Sequence, residues 1–193
     1  MIPRIATHYY LPGRRPFLNL SDLDEPQVHA VMRDLNLLRG RGVQHRLFGA
    51  KYIAWRRLTE QRLRQLFVAR GGEPYRTSPH YFVLGESLWF QGLGAAMRSI
   101  AVDLDLLPSS CTSFTLIDSF GAMGFGPQFG FPGDAQSHEQ QVYRLDELSA
   151  MVARHGLPED EPVSDYEGYE RRPVNQYVEI QLWSDEPIRH LLP

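Results

Sequence analysis

One segment constrains the fold more than any other. From Tyr177 to Trp183 apolar and polar side chains alternate cleanly. Successive side chains of an extended chain point to opposite faces, so this spacing predicts a strand. Val178, Ile180 and Leu182 share one face, which has to meet a core. The other face carries Tyr177, Glu179, Gln181 and Trp183. On an edge strand Glu179 would simply face water. In a cleft it could act as a base or stabilise a developing cation.

The remaining segments mix helices with short strands. Asp22, Asp24 and Pro26 start a helix, with acids at its positive end and proline in its first turn. Val28, Val31, Met32, Leu35 and Leu38 then recur at helical spacing until Gly40. A longer helix is expected from about Gly49 to Arg70, closed by Gly71-Gly72. Short strands are predicted at Arg4–Leu11, Tyr81–Leu84, Ile100–Leu104, Phe114–Ile117 and Val142–Leu145, with helices at Leu88–Met97 and Asp146–His155. This order predicts a single α+β domain, with a mixed, mainly antiparallel sheet carrying two N-terminal helices. The Arg-rich helical part covers about 22–72 and the acidic, sheet-rich part about 79–193.

Charge follows that division. From Met1 to His80 there are 14 Arg/Lys against 6 Asp/Glu, and thereafter 6 against 17, within a net charge of −3. Such a dipolar chain can hold an anionic partner, nucleic acid or a dinucleotide, on its Arg-rich helices. Equally, the halves can neutralise each other inside the fold or across a homodimer. All the basic residues but Lys51 are arginine, which suits bidentate phosphate pairing and is also what a GC-rich genome writes. On the second helix Tyr52, Trp55, Thr59, Leu63, Leu66 and Phe67 project onto one stripe, and Arg57, Gln61 and Arg64 lie opposite. Arg56 projects inside the stripe and Arg62 at its edge. An arginine so placed either snorkels outward or meets an acid.

Other motifs carry less chemistry. Asp103 and Asp105 share a strand face without a third metal ligand, and His-Glu-x-x-His is absent, so no metal site is expected. Gly124-Phe-Gly126-Pro lacks the lysine of a phosphate loop, and Ser87 lacks the second glycine of a nucleophile elbow. Alternation keeps His80 and Tyr81 from lining one cleft together. His138-Glu139 lies beyond a glycine-rich loop. One cysteine, no secretory signal and no run of roughly 20 apolar residues suggest a reduced, cytoplasmic protein without a membrane span.

In the distal part the chain resembles bacterial DNA ADP-ribosyltransferases of the DarT type. The similarity runs through the aromatic strand Pro79-His-Tyr-Phe82, the segment Ile117-Asp-Ser-Phe120 and the late strand Gln176-Tyr-Val-Glu-Ile-Gln181. The family's arginine after the aromatic strand is missing here, with Gly85-Glu86-Ser87 in its place. What the resemblance implies is an NAD-consuming enzyme with Glu179 as the catalytic residue. His8 and Tyr81 would help hold the dinucleotide, and Arg56 or Arg62 would supply the missing cation from the helix. The alternative is a non-catalytic module whose Arg-rich face docks on nucleic acid or an acidic protein.

Overall fold

The structure, a computed structural model, describes residues 1–125, 141–158 and 177–192. His138-Glu139, most of the glycine-rich loop and the acidic stretch Glu159–Glu170 lie outside the described residues. Six strands form one sheet: β1 (Ile5–Tyr10), β2 (His80–Leu84), β3 (Arg98–Asp103), β4 (Thr112–Thr115), β5 (Tyr143–Arg144) and β6 (Glu179–Leu182). Their order is β3-β1-β2-β6-β4-β5 and every pairing is antiparallel. With α1 (Glu25–Gly40), α2 (Tyr52–Ala69), α3 (Leu88–Gly92), α4 (Ser119–Ala122) and α5 (Leu148–His155), the fold is α+β, as the element order predicts.

Local chemistry sets the helix boundaries. Asp24 caps α1 by accepting from the Gln27 N–H at 2.9 Å, while the Gln27 side chain accepts from the Asp24 N–H. Past the end of α2, Gly71 turns left-handed at φ 79°. Its N–H then reaches the Val68 carbonyl and the Gly72 N–H the Phe67 carbonyl, which is a Schellman closure.

The sheet is buried on both faces. On one, Ala6, Phe82, Leu84, Val102, Phe114, Ile180 and Leu182 form a core that takes in Leu148 of α5. On the other, Trp183 packs with Leu63 and Phe67 of α2 and with Met123 and Val142. Side chains of this size contribute about 1.5–3 kcal/mol each when removed from water. Of the two N-terminal helices, α2 lies on the sheet. The other, α1, packs on α2 through Val28, Met32 and Ile53.

Several boundaries differ from expectation, three of them with consequences for where side chains lie. The helix after Ser87 stops at Gly92, well short of Met97. In place of Phe114–Ile117 the strand spans Thr112–Thr115, because Thr112, Ser113 and Thr115 are themselves buried and pair with β6. Asp103 and Asp105 do not share a strand face: Asp103 ends β3 and caps a tight turn, and Asp105 sits in that turn, paired with Arg4. Ser87 caps α3, and Cys111 is a buried thiol whose pKa burial pushes up.

Candidate functional site

The late strand β6 sits inside the sheet, between β2 and β4, with Glu179 opposite Val83 on one side and Thr115 on the other. Glu179 is therefore not an edge residue facing water, and it is 7% exposed. It opens onto a cavity of about 540 Å³, within the range that holds small molecules and cofactors. The same cavity is lined by His8, Arg56, Tyr81, Asp118 and Tyr177.

The cavity exists because the sheet splits. The ladder between β1 and β2 pairs Ala6 with Leu84 and Thr7 with Val83, then stops. Past that point the His8 ring takes the place of a backbone bond, with Nδ1 2.9 Å from the Tyr81 carbonyl. Its Nε2 accepts from the Phe17 N–H at 3.0 Å, which requires Nδ1 to carry the proton and donate. Phe17 stacks on the imidazole at 4.3 Å and holds a left-handed backbone, φ 59°, that a bulky side chain seldom adopts. The gap lets the cavity reach both faces, so His80 and Tyr81 both line it. Simple alternation fails here because the strands part.

The charged centre is built on α2. Arg56 is 12% exposed at its side chain and meets an acid on its own helix: its Nε lies 3.2 Å from Glu60, four residues on. Its Nη1 donates to the Ser119 hydroxyl at 3.1 Å, and its guanidinium carbon lies 3.8 Å from the centre of the Tyr81 ring. No hydrogen bond from Nη2 occurs among the described residues. Glu60 Oε1 also accepts from Asn19 Nδ2 at 2.9 Å and from the Tyr81 hydroxyl at 3.1 Å. Burial opposes the charge on Arg56, but Tyr81, Tyr52, Glu60 and Glu179 together outweigh it and its pKa rises. Arg62, six residues on, falls about 120° round the helix. It is half-buried and does not line the cavity.

Glu179 is held from below by a directed relay. The Trp183 indole can only donate, and it does so to Ser113 Oγ at 2.9 Å. Ser113 then donates to Gln181 Oε1 at 2.8 Å, which turns the Gln181 amide N–H towards Glu179 Oε1 at 3.2 Å. A third carboxyl, Asp118, stands at the start of α4. Its Oδ1 accepts from the N–H groups of Phe120 and Gly121, and its Oδ2 has no partner among the described residues. Burial, then the nearby Glu179 charge, raise its pKa to about 6. The one guanidinium thus pairs with Glu60 and lies within electrostatic reach of Glu179 and Asp118.

The rim is basic. Arg14, which is paired with Asp34, lines the cavity with Arg15, Arg39 and Arg46, beside the aromatic residues Phe48, Tyr52, Trp89 and Phe90. Asn36 holds the loop bearing Arg46 by bonding both polar groups of the Phe48 backbone. Elsewhere the two halves do pair: Arg70 with Glu147, and Arg76 with Asp185. Sequence reasoning missed Glu60, Asn19 and Phe17. The (i, i+4) spacing from Arg56 was the available signal for Glu60.

The arrangement can hold a flat, anionic ligand and present a carboxylate to a developing positive charge. Among the described residues there is no group of three or more His, Cys, Asp or Glu suited to a metal, and no helix is long and apolar enough to cross a membrane. No family model, curated protein or solved structure matches the chain.

His8 gives this site a measurable pH signature. Burial depresses its pKa from 6.5 to about 4, against the opposing bond to Tyr81. The unfolded chain then takes up a proton below pH 6.5 that the native state refuses until pH 4, so stability is full above 6.5 and falls between them. His80, lowered by burial, acts in the same sense, while Asp118 acts oppositely. Comparison with His8→Gln isolates one group. From pH 7 to pH 5 the unfolding free energy from urea curves should fall less in the variant, by roughly 1–2 kcal/mol. Equal falls would mean that His8 titrates normally.

Proposed function

We propose that the protein binds NAD in this cavity and transfers its ADP-ribose to a nucleic acid or protein target. The observation that carries the reading is the cavity shared by Glu179, Arg56 and Tyr81 beneath a rim of arginines. Breaking the N-glycosidic bond of NAD develops positive charge at C1′ of the ribose. A carboxylate in a water-poor site stabilises that charge far better than bulk water does. The pyrophosphate suits guanidinium groups, which pair with phosphate bidentately. Two flat bases suit a lining rich in Phe, Tyr and Trp. Arg56, whose Nη2 has no hydrogen bond among the described residues, lies within electrostatic reach of both Glu179 and Asp118. The nitrogens of His8 are both engaged, so its support for the dinucleotide is indirect: it fixes Phe17 and the Tyr81 carbonyl.

The alternative, docking of the Arg-rich helices on nucleic acid, is weakened because Arg57 of α2 and Arg70 at its end are engaged by Glu25 and Glu147. Salt sensitivity separates the two, since counterion release makes affinity for a polyanion fall steeply with salt. NAD at a hundred times its dissociation constant should stabilise the native state by about 2.7 kcal/mol, seen as a raised melting temperature. The full chain should also release nicotinamide from NAD, and label either an oligonucleotide or protein when a target is supplied. A full chain that shows no thermal shift and releases no nicotinamide at millimolar NAD would overturn the proposal.

A further inference from the structure

We propose that Asp118 is the general base of the cavity, its Oδ2 taking the proton from a neutral hydroxyl or ring N–H acceptor as that group attacks C1′. The step rests on the NAD reading and names the class of acceptor. It starts from an unmatched atom. Asp118 is 6% exposed and lines the cavity, yet Oδ2 accepts nothing among the described residues. A buried carboxylate oxygen without a donor costs more than an unmatched hydroxyl, and native proteins seldom keep one without a use. Its orientation is not accidental. The N–H groups of Phe120 (2.9 Å) and Gly121 (3.1 Å) both hold Oδ1, which fixes Oδ2 on the opposite side. A Cβ at Gly121 would come within 3.1 Å of the Ile117 side chain and 3.2 Å of Oδ2, so any larger residue there would crowd the carboxyl.

The two cavity carboxyls have different surroundings and hence different work. Glu179 already accepts from Gln181, at the end of the relay from Trp183, and suits standing opposite the positive charge at C1′. Asp118 Oδ2 keeps lone pairs that no donor among the described residues occupies. Burial and the Glu179 charge bring it to about 6, close to neutrality, where a carboxyl both accepts and gives up a proton readily. The balance is simple. The C1′–N bond breaks and nicotinamide leaves neutral with the bonding pair. The acceptor oxygen or nitrogen forms the new bond to C1′, and its proton passes to Asp118. Nothing is oxidised or reduced. A carboxylate acceptor has no proton to lose and would need no such base, so the acceptor is a protic group, with water in its place when no target is present.

The experiment uses the full chain, NAD and sodium azide, an anionic acceptor that needs no base. Asp118→Asn keeps an oxygen for the Phe120 and Gly121 N–H groups, and its fold is checked by its melting curve. Nicotinamide release to water should fall roughly 100-fold or more. Azide should restore it with formation of the ribosyl azide, and should do nothing comparable for Glu179→Gln. Asp118→Asn with wild-type release, or a loss that azide does not repair, overturns the base. A wild type that releases no nicotinamide overturns the NAD reading and this step with it, so the two failures differ. A second readout needs no ligand. Carbon-13 titration of the Asp118 carboxyl, which is faced by Glu179 from β6, by Tyr177 just before that strand and by Arg56 from α2, should move to lower pH in Glu179→Gln. A titration that does not move means the carboxyls are uncoupled and overturns the division of labour.

Discussion

Glu179→Gln is expected to fold with a denaturation midpoint close to the wild type while losing on the order of 10²–10³ in nicotinamide release. The substitution is nearly isosteric at a residue 7% exposed between two neighbouring strands. An amide oxygen there can still accept from Gln181 Nε2, so the relay from Trp183 through Ser113 survives. What disappears is charge. In the folded protein that removes repulsion from Asp118, whose raised pKa owes its second largest part to Glu179. It also leaves Arg56 its shorter-range partner, Glu60, at 3.2 Å. Ground-state costs and gains are thus small and opposed. The transition state has no such compensation, because the positive charge at C1′ loses the group that faces it. Nicotinamide release, measured at saturating NAD beside a urea curve, separates the two. Lost activity together with lost stability would mean that Glu179 is a structural residue.

How much of this was legible beforehand varies with the kind of signal. The period-two run at Tyr177–Trp183 declared a strand and divided its faces correctly, because alternation is a local property. Whether that strand lay at an edge or in the middle was not local. It depended on β4 pairing along Thr112–Thr115, a polar run that looks unlike a buried strand and is buried all the same. Helical phase pointed Arg56 inward, where it and Glu179 line one cavity. Phase could equally have named Glu60, one turn on, but attention to distant acids passed over the nearest one.

Other features had no sequence signal at all. That β1 and β2 part after Thr7 and Val83 is decided by the His8 ring and the left-handed Phe17, neither of which a pattern of apolar residues encodes. The parting is also why His80 and Tyr81 meet one cavity despite pointing to opposite faces. The charge asymmetry resolves in two ways. Some arginines pair with acids of the other half, as Arg70 does with Glu147, while Arg15, Arg39 and Arg46 gather at the rim beside Arg14, which pairs with Asp34. Counting by halves cannot separate these uses; only position can.

Arg56→Met should be the most destabilising single change at the site, by about 3–5 kcal/mol, the range for breaking a buried ion pair from one side. Against a typical native stability of about 5–15 kcal/mol, that is enough to unfold a marginal protein. Methionine replaces much of the aliphatic volume, so the cost is electrostatic more than steric. Glu60, 3% exposed at its side chain, would keep only the neutral donors Asn19 and Tyr81. The guanidinium stacked on Tyr81 at 3.8 Å would be lost as well. The companion change tests the reason. Glu60→Gln removes the orphaned charge and still offers an oxygen to Asn19 and Tyr81, so the double variant should be more stable than Arg56→Met alone. That inverted order is the mark of a buried pair, and a double-mutant cycle from urea denaturation reads it directly. A cycle with no coupling would mean that the burial of Glu60 is offset by its neutral donors alone, and that Arg56 is held in the cavity for its ligand and not for the fold.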